Sequence, residues 1–524
     1  MGETVMTNIN LPAFGETQFF DNYTNATCRA ISIENAEEGA FDAYIALFEQ
    51  NGFDKKEEYI QGSHRYAALA RGNDCIFIND YRATRQLRIV SETDCRYFAY
   101  ADVCGEPIVA PQITQVHLED FGLSDVIRLS DGRFIILDGG CPLPPDEERL
   151  FKCLKKASPT ETPVIAAWIM THPHGDHYLA HAGFMKRFGD QVKVEKALVN
   201  FPDADDVARY PRLAGDDRRY EQNISAIVNV PIMYELFENA GAPVYIPHTG
   251  QRYRIGDALV EVLTSIDDTY HLSENVNATS LILRVELGGQ VIILGGDGSF
   301  STSKLPERYG KYLKADILQI PHHGFSCGTA EAEMAGYDLI SPEVCFLPVS
   351  SYNAFVKFCT FVPSANYIMR LPCVKEFITG DTTRTLTLPY TPRVTGREEL
   401  ERAYLAGRAA NGAETWFFTE LCTANEEDFV FTIVNSTQSA TTVWIDLLFE
   451  SNAQGVRYIK TEVGGNRIRR VNVIGKEVNG DAVYFNWLSL KDLGVPENVP
   501  FAVRFLSDKP IVVSHKTHAP AYHS

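Results

Sequence analysis

The heptapeptide Thr171-His172-Pro173-His174-Gly175-Asp176-His177 constrains this chain more than any other feature. It sets three imidazoles and a carboxylate on one short segment, directly after the apolar run Val164-Ile165-Ala166-Ala167-Trp168-Ile169-Met170. Such a run predicts a buried strand, and Pro173 and Gly175 force a tight turn at its end. Imidazole nitrogens and a carboxylate oxygen gathered on one turn suit zinc, and also iron or manganese. A lone histidine after a strand is most often structural, whereas the H-x-H-x-D-H spacing points to a metal site.

Three further apolar runs end in polar tips. Phe134-Ile135-Ile136-Leu137 leads into Asp138-Gly139-Gly140, and Val291-Ile292-Ile293-Leu294 into Gly295-Gly296-Asp297-Gly298. Ala315-Asp316-Ile317-Leu318-Gln319-Ile320 leads into Pro321-His322-His323-Gly324. Each tip carries an acid or histidine beside small residues that allow close backbone approach. Asp-Gly-Gly alone is an ordinary turn, and His-His-Gly a surface loop; in this order they reinforce one another.

This succession of motifs resembles the metallo-β-lactamase superfamily. The P-H-H-G ending and Asn277-Ala278-Thr279-Ser280-Leu281 resemble, within it, the branch containing the hydrolase domain of the DNA-uptake protein ComEC and the phosphorylcholine esterases. The similarity spans roughly residues 112–392. It implies an αββα sandwich with a dinuclear site at one edge, between two β-sheets. By the same resemblance His172 and His174 hold a first metal. Asp176, His177 and one of His322 and His323 hold a second, and Asp297 bridges the two. Asp138 matches a position that orients ligands from behind. Where the superfamily usually has a third histidine for the first metal, this chain has Asn277, with His248 and His271 as loop histidines that could substitute.

The expected chemistry follows from the ligands. A divalent metal lowers the pKa of bound water from about 15.7 to near 7, and two metals about 3.5–4 Å apart polarise the scissile bond. The member of the His322–His323 pair not used as a ligand is then placed to stabilise or protonate the leaving group. Zinc is the first expectation, with manganese or iron as alternatives. The expected reaction is hydrolysis of a phosphodiester or related ester, with Asp176, His322 and His323 in catalytic roles. A lactonase or thioesterase uses the same water activation. A protein of another class, a sensor or binding protein with a structural metal, would act through its C-terminal part.

Charge restricts the partners. A formal net charge of −20 repels a polyanion over most of a surface, and Arg218-Arg219 and Arg467-Ile468-Arg469-Arg470 are too short to make a basic stripe. A small-molecule ester or phosphodiester is expected, not a long nucleic acid. No apolar run reaches the ~18–20 residues of a membrane span. The segment Met1–Met6 lacks a signal-peptide pattern, and eleven scattered cysteines without a C-x-x-C pair read as core residues of a reducing, cytoplasmic compartment.

A length of 524 residues, at about 150 per domain, predicts three or four units. Residues 1–111 read as a small α+β domain, with an amphipathic helix near Ala40–Asn51 and strands around Tyr66–Leu69, Cys75–Ile78 and Leu87–Val90. Residues 112–392 form the hydrolase domain, with Phe325–Leu388 expected to complete its second sheet. Residues about 200–250 exceed a minimal core and read either as a pocket wall, with Tyr220, Tyr234 and Phe237, or as a packed excursion. A helical linker is expected over 393–412. Residues 413–524 alternate strand-like runs with Asn, Gly and Asp turns at sandwich spacing. This last part resembles the β-sandwich of the sensory rhodopsin transducer family through Ile433-Val434-Asn435-Ser436, Arg467–Val471 and Ser507–Val513. It is the expected route to a homo-oligomer. His515, His518 and His523 read as tail residues.

Overall fold

The computed structural model describes residues 16–18, 27–204, 207, 217–269, 275–325, 330–350, 363–369, 371–393, 415–422, 428–449, 457–473, 487–490, 495, 499–507 and 509–518. The expected linker helix at 397–408, together with His271 and His523, lies outside these residues.

Two mixed sheets face each other at the centre. The first runs, in spatial order, Val244–Tyr245, Ala197–Val199, Val164–Met170, Phe134–Asp138, Ser124–Arg128, Gln112–Gln115 and Arg384–Thr387. The second runs Arg252–Ile255, Ala258–Thr264, Ile282–Leu287, Gln290–Leu294, Ile317–Gln319, Val344–Leu347 and Glu376–Thr379. The central strands read as unbroken apolar runs because both of their faces are buried. Ile135 and Leu137 point into the space between the sheets, while Phe134 and Ile136 point outward under helices. Leu283, Ile292 and Leu294 line the same central space from the second sheet, and Ile282, Ile293 and Leu318 pack under its outer helices. Helices Pro144–Ala157, Ala180–Phe188 and Val230–Asn239 cover the first sheet; Leu305–Tyr309 and Ala330–Ile340 cover the second. This is an αββα sandwich.

One strand departs from expectation. The segment after Phe325 completes the second sheet only as far as Glu376–Thr379; Arg384–Thr387 crosses back and pairs antiparallel with Gln112–Gln115 of the first. Leu386 is buried in the central core there, and the strand covers an otherwise open sheet edge.

A six-stranded antiparallel sheet precedes the sandwich, in the order Glu16–Gln18, Cys28–Glu34, Gln86–Glu92, Asp74–Tyr81, His64–Arg71, Asp54–Gln61. Helix Ala40–Gln50 buries Phe41, Tyr44, Ile45 and Phe48 against one face. The other face, with Tyr66, Ala68, Phe77 and Val90, continues into the core between the central sheets. Two four-stranded sheets close a β-sandwich at the C-terminal end around Phe431, Ile445, Val503 and Phe505. His515 and His518 belong to its last strand, Val512–His518, and His515 packs against Phe418. Among the described residues no helix is long and apolar enough to cross a membrane.

Candidate metal centre

The polar tips of four strands meet at one edge of the sandwich. Asp138 ends its strand with a φ of 55°, a left-handed turn that its short polar side chain tolerates. Its buried carboxylate accepts hydrogen bonds from the Thr171 amide (2.7 Å), the Thr171 hydroxyl (2.7 Å) and Nδ1 of His177 (2.7 Å). The amides of Gly139 and Gly140 donate to the His177 carbonyl at 2.7 and 3.0 Å. The Asp-Gly-Gly segment therefore grips His177 by ring and backbone together. With Nδ1 donating to Asp138, His177 presents Nε2 inward. Thr171 does the same for its neighbour. Its hydroxyl proton goes to Asp138, so its oxygen accepts from His172 Nδ1 at 3.1 Å and leaves His172 Nε2 facing the centre.

Glycines let the other tips approach. A Cβ on Gly295 would lie 2.4 Å from Pro321, and Gly296 has a φ of 52° with Thr171 at 3.0 Å from where its Cβ would be. Gln319 accepts from both glycine amides at 2.8 and 2.9 Å, and the His322 amide donates to the Gly296 carbonyl at 2.9 Å. The acidic and the double-histidine tips are thus held together by their backbones.

The donor atoms converge. Oδ1 of Asp297 lies 3.1 Å from His177 Nε2 and 3.7 Å from His323 Nε2. Oδ2 of Asp297 lies 3.7 Å from His172 Nε2 and 3.9 Å from His322 Nε2. Asp176 Oδ2 is 3.1 Å from His323 Nε2 and 3.8 Å from His177 Nε2. Ligands bound 2.0–2.1 Å from one ion stand roughly 2.9–3.4 Å apart, so small shifts bring these sets onto an ion. His172, His177 and Asp297 form one tight donor group, and Asp176, His177 and His323 another. The ring nitrogen His172 Nε2 is buried with no hydrogen-bond partner. Burying such an atom unsatisfied costs about 1–3 kcal/mol, and a cation satisfies it. The residues present fit a divalent metal.

Electrostatics matches this. Burial opposes charge on His177, but the carboxylates of Asp297, Asp176 and Asp138 outweigh it and hold its pKa well above the usual imidazole range. Burial likewise opposes the charge of Asp297, and His177, His323 and His322 hold its pKa well down. His172, with burial dominant and His177 beside it, is pushed well down and stays neutral.

The sequence-derived candidates divide into a buried floor and an open side. His172, His177, His323 and Asp297 are buried, whereas His174, Asp176 and His322 are partly exposed. The His174 ring stacks edge-on to His172 at 4.8 Å, outside the two tight groups. The histidine pair splits: His323 faces Asp176, while His322 Nε2 meets the Asn277 amide at 3.0 Å. His248 is not at this edge at all; it bonds to Asp267 at 3.0 Å on the side of the N-terminal sheet. Phe237 is fully buried against Trp168 and His181, so this part of the 200–250 excursion is packed core. Sequence reasoning missed Thr171 and two aromatics, Phe121 and Phe325. Phe121 packs edge-on to His323 at 5.7 Å, and Phe325 lies 5.5 Å from the His322 ring. Thr171 is legible only as the residue preceding the motif; the phenylalanines carry no local signal.

Residues 119–255 match the family model of the metallo-beta-lactamase superfamily. The chain therefore carries a domain of that superfamily, whose members are in general hydrolases. No curated protein matches the chain. Similar solved structures include the metallo-beta-lactamase fold protein YhfI from Bacillus subtilis, 13% identical, with 52% of this chain and 99% of that one covered and a TM-score of 0.33. Igni18, a metallo hydrolase from the archaeon Ignicoccus hospitalis, is 15% identical, with coverages of 53% and 99% and a TM-score of 0.31. The Anabaena sensory rhodopsin transducer is 17% identical, covering 20% of this chain and 98% of its own, with a TM-score of 0.14.

Proposed function

We propose that this protein is a hydrolase of phosphodiesters or related esters that works with two divalent cations, zinc before manganese or iron. Asp297 carries the reading: each of its carboxylate oxygens faces histidine nitrogens of its own, His177 and His323 on one side, His172 and His322 on the other. In this proposal Asp176, His177 and His323 would hold one ion and His172 and His174 the other, with Asp297 contributing to each. Such cations would supply the Lewis acidity that makes water a competent nucleophile near neutral pH.

The chain's own residues do the rest. Asp138 and Thr171 fix the ring orientations of His177 and His172, so only small shifts are needed when the site fills. His322 stands on the open side against the buried Asn277 amide, where a hydrogen bond can stabilise charge developing on the substrate. Phe121 and Phe325 give that approach an apolar wall.

The test uses bis-p-nitrophenyl phosphate. Chelated protein should be inactive, and zinc or manganese should restore turnover. Asp176→Ala should lose bound metal and lower kcat/KM by about 10²–10³-fold, the scale of removing one charge-stabilising group. Full activity in Asp176→Ala, or unchanged activity after metal removal, overturns the proposal.

A further inference from the structure

A second convergence of metal-ligand types lies away from the sandwich edge, where the N-terminal sheet meets the hydrolase core. Cys28 opens the strand Cys28–Glu34, and Glu92 closes the strand Gln86–Glu92. The two are direct antiparallel partners, so their side chains leave the same face of the sheet. Cys75 pairs with Glu92 from the neighbouring strand. Opposite them stands His248, in the loop after Val244–Tyr245 of the core. Its Nδ1 bonds to both oxygens of Asp267 at 3.0 and 3.1 Å. Its Nε2 therefore faces Glu92 Oε2 at 3.3 Å and Cys28 Sγ at 3.9 Å. The Cys28 thiol also lies 3.7 Å from Thr27 Oγ1. Cys95 Sγ, close by, accepts from the Tyr97 amide at 3.4 Å.

We propose that Cys28, Glu92 and His248 bind a structural zinc ion that fastens the N-terminal sheet to the hydrolase core. Three observations carry this. The donor atoms all lie within 4.8 Å of one another. Tetrahedral bonds of about 2.3 Å to sulfur and 2.0–2.1 Å to nitrogen or oxygen put donors roughly 3.3–3.6 Å apart, close to the separations found. The Asp267 carboxylate on the far ring nitrogen of His248 is the buttress that zinc-binding histidines take.

All three ligands are at most 5% exposed, so the site is closed to substrate. A site closed in this way is structural in kind. Cys95 borders it as a further thiol.

The proposal does not depend on the hydrolase reading and is tested without activity. The full-length protein is loaded with cobalt in place of zinc, and thiolate-to-cobalt charge-transfer absorption is recorded for wild type, Cys28→Ser and Cys141→Ser. Cys141, which lies near Asp176, controls for sulfur at the other centre. The expected result is a band in wild type and Cys141→Ser that is lost in Cys28→Ser, together with one fewer zinc per chain in Cys28→Ser. No band in wild type overturns the proposal, as does a band kept in Cys28→Ser. Should Cys28→Ser not fold, Glu92→Gln replaces it: loss of one zinc per chain supports the site, and unchanged zinc content overturns it.

Discussion

At the scale of single residues, one buried carboxylate organises the centre and another is held without a partner. Asp138 accepts from Thr171 and His177, so each hydrogen bond it takes helps position a ligand. Asp125, on the adjacent strand, is fully buried with both oxygens unpaired, opposite the equally unpaired Gln115. Burial, with Asp138 nearby, pushes the Asp125 pKa up to about 8. A carboxyl raised in the folded state adds stability at low pH that is lost as pH rises through the folded value. Asp125→Asn removes that dependence. In chelated protein, its stability gain over wild type should therefore grow between pH 5 and pH 8, by about 3 kcal/mol. Denaturant unfolding at the two pH values checks this; a gain that does not vary with pH contradicts it. Asp125 is not legible in the sequence as a buried acid, because Ser124–Arg128 is a short run with one charge at each of two positions. Only the sheet on either side takes its carboxylate out of water.

At the scale of elements, the joint between the N-terminal sheet and the core is polar and buried. Asp268 accepts from Tyr81 at 2.6 Å and Arg88 at 2.9 Å, lies 3.1 Å from Arg308, and also accepts from Thr249. Burial opposes its charge, but Arg308 and Arg88 outweigh it and hold its pKa well down. Removing one member of such a buried network costs about 3–5 kcal/mol, because the remaining charges are left underpaired. Arg88→Met is expected to destabilise the protein by that amount in denaturant unfolding; a change below about 1 kcal/mol would place the network's weight elsewhere. The sheet joint also marks the limit of sequence reading. The central strands are legible as unbroken apolar runs, and helix Ala40–Gln50 through apolar residues at helical spacing. Arg384–Thr387 was not assigned to the right sheet, since a four-residue strand carries no record of its partner. The sequence reads the cysteines as core residues and His248 as a loop histidine, and gives no signal for Glu92; only antiparallel pairing and a loop from another sheet unite them.

For the whole molecule, the centre depends on an αββα frame that brings tips from residue 138 to residue 323 onto one edge. The order of those tips was readable because each follows a buried strand and carries its own glycines or prolines. The sorting of His322 from His323 was not, because both have left-handed backbones, φ of 49° and 54°, in a single turn. Their side chains diverge only by what each tip meets, Asn277 for one and Asp176 for the other. The N-terminal sheet and the C-terminal sandwich were legible as separate compositions, yet the first proves continuous with the central core.

The central claim is that Asp297 joins two cations, and counting ions tests it most directly. Metal content per chain, measured by mass spectrometry on wild type and Asp297→Ala prepared alike, should fall by two ions in the variant. Equal content in the two proteins would contradict the account.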